Sequence, residues 1–234
     1  MNCSIDRAFS FLLKIFLPIF IFLVTSNAFA QSAQTFMMEP EFTVLLSTES
    51  KWSYSIGLAN RGILIDEIEA DNYSENVTEH LEVNSWVIYE TGENSDYSLG
   101  IRYRFRELFN PNNENLFRIL QQYFHEQNNS MIGWWHRARF EQRFGPTITI
   151  FRLRYEFGVS KPVSENFSLE LETEALYSMS RQFKPQPEQR VAFNVVNTTF
   201  ENWDFNLGLE YRMDNYIREQ ENNVFLLAGG KLKL

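Results

Sequence analysis

The chain predicts an all-β fold: a transmembrane, antiparallel, up-and-down β-barrel of about twelve strands, with ten as the alternative, around a charged Arg/Glu lumen. Three observations lead there. Apolar and polar residues alternate with period 2 from Glu41 to the end of the chain. Several of these segments run about 10–12 residues, longer than the usual soluble strand and close to the 9–11 of a membrane strand. Short and longer connections between them also alternate, as in outer-membrane barrels.

Residues 1–30 read as a secretory signal. Arg7 and Lys14 provide the positive start, Ile15 to Val24 an apolar run, and Ala28-Phe29-Ala30 the cleavage pattern, so the barrel domain is expected over residues 31–234. Cys3 is the single cysteine and leaves with the signal. The mature chain then has no disulfide, thiolate metal site or cysteine nucleophile, which suits a Gram-negative bacterium. Asp6, Arg7 and Lys14 leave together, taking the formal charge from −9 to −10. An acidic chain argues against nucleic acid as a partner. The 22 Phe, 10 Tyr and 5 Trp make it rich in aromatics, while no later apolar run reaches a spanning helix. A membrane would be met with strands.

Strands are expected near residues 41–47, 51–61, 79–90, 97–106, 116–126, 133–144, 147–160, 167–178, 189–200, 203–212 and 223–234. The short connections are 48–50, 91–96, 127–132, 161–166 and 201–202. The longer ones are 62–78, 107–115, 179–188 and 213–222, with the tight Gly145-Pro146 turn taking a long slot. This alternation places the C-terminus with the short turns, in the periplasm. Eleven segments is an odd count, so Ala33 to Met38 is expected as a further short strand ahead of Glu39-Pro40, giving twelve; merging two segments gives ten.

The faces follow from parity. Trp203, Phe205, Leu207, Leu209 and Tyr211 oppose Asp204, Asn206, Gly208, Glu210 and Arg212; Tyr97, Leu99, Ile101, Tyr103 and Phe105 oppose Ser98, Gly100, Arg102, Arg104 and Arg106. The segments at 51–61, 167–178 and 223–234 behave alike, and 116–126 is too mixed to assign. A soluble sheet with an aromatic core produces the same alternation. Depth separates the two. Trp52, Trp134 and Trp203 each begin a strand after a short turn, Phe105, Phe144, Tyr177 and Tyr211 lie at opposite ends, and the middles are aliphatic. Two aromatic girdles around an aliphatic band are the mark of a lipid-facing wall.

Charges then face the lumen. Residues expected to line it are Arg102, Arg104, Arg106, Arg137, Arg139, Glu141, Arg143, Arg152, Arg154, Glu156, Glu170, Glu172, Glu174, Glu210 and Arg212. A planar guanidinium suits a carboxylate partner, and an arginine removed from water requires one.

The strings HRARFEQRFG, FRLRYEFGVSKP, LELETEALY and WDFNLGLEYR resemble a family of uncharacterised bacterial proteins, a domain of unknown function whose members carry R-x-R-x-E-x-R strands. The resemblance spans most of the mature chain and is strongest from Trp134 to Arg212. It implies an outer-membrane β-barrel of roughly this length and brings no substrate with it. A looser likeness is to small twelve-stranded porins that pass acidic oligosaccharides along arginine tracks.

No nucleotide, zinc-protease, CxxC or serine-hydrolase motif is present. No catalytic, cofactor-binding or metal-binding residue is expected. Three functions fit: a small porin-like channel for small or anionic solutes; a closed structural or adhesion barrel acting through loops such as the acidic connection of Glu67, Glu69, Asp71, Glu75 and Glu79; and a lipid-modifying enzyme with His136 on the outer wall. Lipid is the partner common to all three.

Overall fold

The computed structural model describes residues 35–66, 77–106, 115–128, 131–218 and 220–234. The expected signal at 1–30 lies outside these residues. So do residues 67–76 of the acidic connection, whose flanks, at 62–66 and 77–79, are strand.

Eleven strands form one closed barrel in chain order: β1 (Thr35–Ser47), β2 (Trp52–Asp66), β3 (Val77–Gly92), β4 (Ser95–Phe105), β5 (Leu116–Asn128), β6 (Gly133–Phe144), β7 (Thr149–Pro162), β8 (Phe167–Met179), β9 (Gln186–Asn197), β10 (Trp203–Asp214) and β11 (Glu221–Lys233). Consecutive strands pair antiparallel. β1 and β11 close the ring in parallel, from Thr35↔Asn223 to Leu45↔Lys233. The parallel seam follows from the odd count, since strands of alternating direction make the first and eleventh point the same way.

The count equals the number of alternating segments in the sequence. The separate twelfth strand is not formed: from Thr35 that stretch is the start of β1, and Pro40 does not break it. The β1–β2 register passes from Met38↔Gly62 to Glu41↔Ala59, leaving Glu39 and Pro40 out of that ladder. The β1–β11 ladder continues through Pro40↔Ala228. Proline lacks a donor, and the interruption is confined to one of its two neighbours.

Short connections after β1, β3, β5, β7 and β9 gather at one rim, and the β11 terminus lies there too, with Ser47 N–H donating to the Leu234 carbonyl at 2.8 Å. Asn202, with φ 62°, takes the left-handed conformation in one such turn, which asparagine tolerates. The opposite strand ends form the other rim. Eleven strands about 4.8 Å apart and tilted by about 40° make a wall on the order of 20 Å across.

The outer face is apolar by depth as well as by parity. Trp52 and Tyr89 (ring centroids 4.7 Å apart) and Tyr97 and Tyr123 (5.0 Å) lie at the short-turn rim; Phe117 and Phe144 (6.3 Å) lie near the other. Ile56, Leu99, Ile101, Leu153, Leu207 and Leu209 are exposed between them. Tyr211 departs from its exposed neighbours: it is buried, and its hydroxyl donates to Asn222 Oδ1 at 2.9 Å. A continuous exposed aliphatic band between aromatic rims has hydrocarbon as its matching solvent. The interior is the inverse, its largest fully buried side chains including Arg118 and Glu141.

Candidate functional site: the charged lumen

Alternation along strands of 11 to 16 residues fixes which side chains reach the barrel axis, and the lumen they enclose holds a cavity of about 680 Å³. Eleven of the fifteen residues expected at the lumen line it: Arg102, Arg104, Arg137, Arg139, Arg143, Arg152, Arg154, Glu156, Glu174, Glu210 and Arg212. Glu141, 0% exposed, lies beneath them, holding Arg143 at 2.8 Å and Arg154 at 2.7 Å. Glu172 accepts a hydrogen bond from the Asn194 amide, and Glu170 is half-buried outside the cavity lining. Arg106 departs from the expectation. It follows the last residue of β4 and is exposed, because its strand ends before it can be turned inward.

The half nearer the long connections is a packed ionic layer. Glu82 on β3 receives Arg102 and Arg118, each at 3.1 Å, together with Arg104, and His80 lies 3.6 Å away. Arg154 bridges Glu141 and Glu174, each at 2.7 Å; Arg152 reaches Glu188 at 3.5 Å and donates from Nε to Ser178 Oγ at 2.7 Å. Glu39 on β1 holds Arg61 and Arg212, each at 2.9 Å. Partners come from strands far apart in sequence, so the network ties the wall across the closure as well as along it. Such pairing is what allows this many guanidinium groups to leave bulk water.

The half nearer the short turns is built differently. Trp86 lies over Gly100 and Trp135 over Gly158, each glycine being the cross-strand partner of its tryptophan. A Cβ at either glycine would overlap the indole ring, so the missing side chain is what lets the ring lie flat on the wall. Arg139 sits over the Trp86 ring at 5.4 Å, and Arg137 over Trp135 at 5.2 Å and Phe124 at 5.7 Å. Cation–π contacts and glycine shelves thus draw Trp86, Phe124 and Trp135 inside, and Arg61 and Arg212 lie over Phe225 nearer the other end, although most aromatics face outward.

The two signs of charge are segregated around the ring. Along β4 to β7 the cavity is lined by eight arginines and one carboxylate, Glu156. Along β8 to β11 and β1 it is lined by two arginines, Arg190 and Arg212, and seven carboxylates. The lumen therefore has a cationic wall and an acidic wall.

His136 lies on the outer wall in an aromatic cluster, its ring centroid 5.4 Å from His125, 5.9 Å from Trp134 and Tyr123 and 6.1 Å from Tyr155. The serine–histidine contact on this wall belongs to His125, whose Nδ1 shares a 2.8 Å hydrogen bond with Ser95 Oγ. Among the described residues no carboxylate comes within salt-bridge distance of either imidazole. Among the described residues no group of three His, Cys, Asp or Glu side chains is placed to hold a metal ion.

The family described as a protein of unknown function, DUF2490, matches residues 42–223. The chain belongs to DUF2490. No curated protein matches it. Two solved structures are similar in fold: an anion-selective porin from Comamonas acidovorans, at 11% identity and a TM-score of 0.39, and the NanC porin, at 11% identity and 0.45. The first likeness covers 79% of this chain and 54% of that one; the second covers 85% and 99%.

Within this DUF2490 chain, reading by alternation misses six charged residues of the network: Glu39, Arg61, Glu82, Arg118, Glu188 and Arg190. Glu82 had a signal, since His80, Glu82 and Asn84 alternate with Leu81, Val83 and Ser85. Arg118 had none. β5 puts Leu120 inside and Gln121 outside, which cancels its pattern.

Proposed function

We propose that the protein is a narrow channel of the bacterial outer membrane that passes small solutes, with a preference for anions. The observation behind this is the arginine wall of β4 to β7 along one side of a 680 Å³ lumen. Concentrated fixed charge of one sign in a low-dielectric tube raises the local concentration of the opposite ion. The apolar outer band supports residence in a bilayer. Purified protein inserted into planar bilayers under a KCl gradient is expected to give discrete conductance steps and an anion-selective reversal potential. Silent membranes, with insertion verified, would overturn the channel.

The packed ionic layer around Glu82 and Glu141 favours a second reading, a closed structural barrel. In that case the same bilayers stay silent while the protein remains folded in them.

A further inference from the structure

Most charges in the lumen are matched, which makes the unmatched ones informative. Arg139 on β6 donates from Nε (3.0 Å) and Nη2 (2.7 Å) to the neutral Gln122 Oε1, and among the described residues no carboxylate lies within 4 Å of it. Arg137 beside it spends Nη1 on Glu156 at 3.2 Å, and its buried Nε has no partner among the described residues. On the acidic wall, Glu41 of β1 meets, among the described residues, only the Thr43 hydroxyl, at 3.4 Å, and no cation within 4 Å. All three line the same cavity.

Their placement is set by the barrel. β1 is five strands from β6 in one direction around the ring and six in the other, so the two are diametrically opposed. The register also sets the height. Followed strand to strand one way, the row through Arg139 arrives on β1 at Ser47, and the other way it passes Glu221, beyond the start of β1. The level opposite Arg139 therefore falls near the middle of β1, where Glu41 stands. In a wall on the order of 20 Å across, an extended arginine and a glutamate leave a gap that a small solute spans.

Resting on the channel reading, we infer that this level of the lumen selects small zwitterions. The anionic end is received by Arg139 and the free Nε of Arg137, and the cationic end by Glu41. Two uncompensated charges of opposite sign facing each other make a field across the pore. A solute carrying both signs is oriented and held by that field, whereas a plain anion meets one attractive wall and one repulsive wall.

Taurine and isethionate test this, since isethionate has the sulfonate but replaces the ammonium with a hydroxyl. Added to single channels in KCl, taurine is expected to interrupt the current at concentrations about tenfold lower than isethionate, the scale of one charge-assisted hydrogen bond. Glu41→Gln should abolish that difference and leave isethionate at least as effective; Arg139→Gln should weaken both. The exchange Glu41→Arg with Arg139→Glu should restore the taurine preference, because the field is reversed, not removed. Heat-modifiable gel migration verifies that each variant is folded. Equal response to the two solutes, or a taurine preference that survives Glu41→Gln, overturns the inference. A protein that carries no current is assayed in micelles by calorimetric titration with taurine. A taurine response lost in both single variants would then uphold the site and refute only the channel; no response would refute the site as well.

Discussion

Glu82 is the hub of the ionic layer, and removing it should cost far more than removing any one of its partners. Its carboxylate is 4% exposed and serves three guanidinium groups, Arg102, Arg104 and Arg118, with His80 at 3.6 Å. Glu82→Leu leaves three adjacent cations without their shared anion, at a cost of about 3–5 kcal/mol, the range for breaking a buried pair. Arg118→Met leaves Glu82 still held by Arg102 and Arg104. Its cost is then a lost charged hydrogen bond, about 1.5–3 kcal/mol, offset by methionine packing in the same space. The two changes should be strongly non-additive: the double variant is expected to be no less stable than Glu82→Leu alone, because the mutant arginine is itself one of the stranded cations. Urea titration of protein folded in lipid vesicles, read by heat-modifiable migration, gives the midpoints. A Glu82→Leu midpoint equal to or above that of Arg118→Met would refute the hub. Additive losses in the double variant would refute the shared anion.

Three further outcomes are expected. Leu207→Arg, on the exposed aliphatic band, should destabilise the barrel in vesicles by about 2–4 kcal/mol, and Asn206→Arg, one residue away on the inner face, by less; the order of the two urea midpoints checks this. Gly100→Val should force the Trp86 indole off the wall at a cost of about 1–3 kcal/mol, and Gly100→Val combined with Trp86→Ala should recover part of the loss in the same titration. The wild-type chain should require detergent or lipid to stay folded, so a monodisperse, folded, detergent-free monomer in sedimentation analysis would contradict the lipid-facing wall.

Much of this was legible in the strands themselves. Tyr97 to Phe105 and Trp203 to Arg212 alternate so regularly that their inner and outer faces needed no partner to be named. A period of two is a property of the extended backbone, and a wall that is apolar on one side and charged on the other imposes it on every strand. The same logic failed at β5, because Leu120 lies inside beneath arginines while the polar Gln121 lies outside, beside Leu99 and Phe140, so the strand's own alternation is cancelled. It failed at Trp86 and Trp135, where parity alone does not reveal that an aromatic has a glycine shelf across the strand and a guanidinium above it.

Local sequence thus determined the class of fold, the position of each strand along the chain and the sign of most inner charges, since these depend on each residue and its neighbours two positions away. Only closure decided the strand number. That the stretch from Thr35 runs through Pro40 as part of β1 depends on β11 being there to pair with it. Closure also decided which charges meet. Glu39 reaches Arg212 across 173 positions of sequence, and Arg139 and Glu41 oppose each other only because five strands on one side and six on the other bring β6 and β1 to opposite walls. Coulombic pairing depends on distance in space, and strand order and register around the ring set that distance.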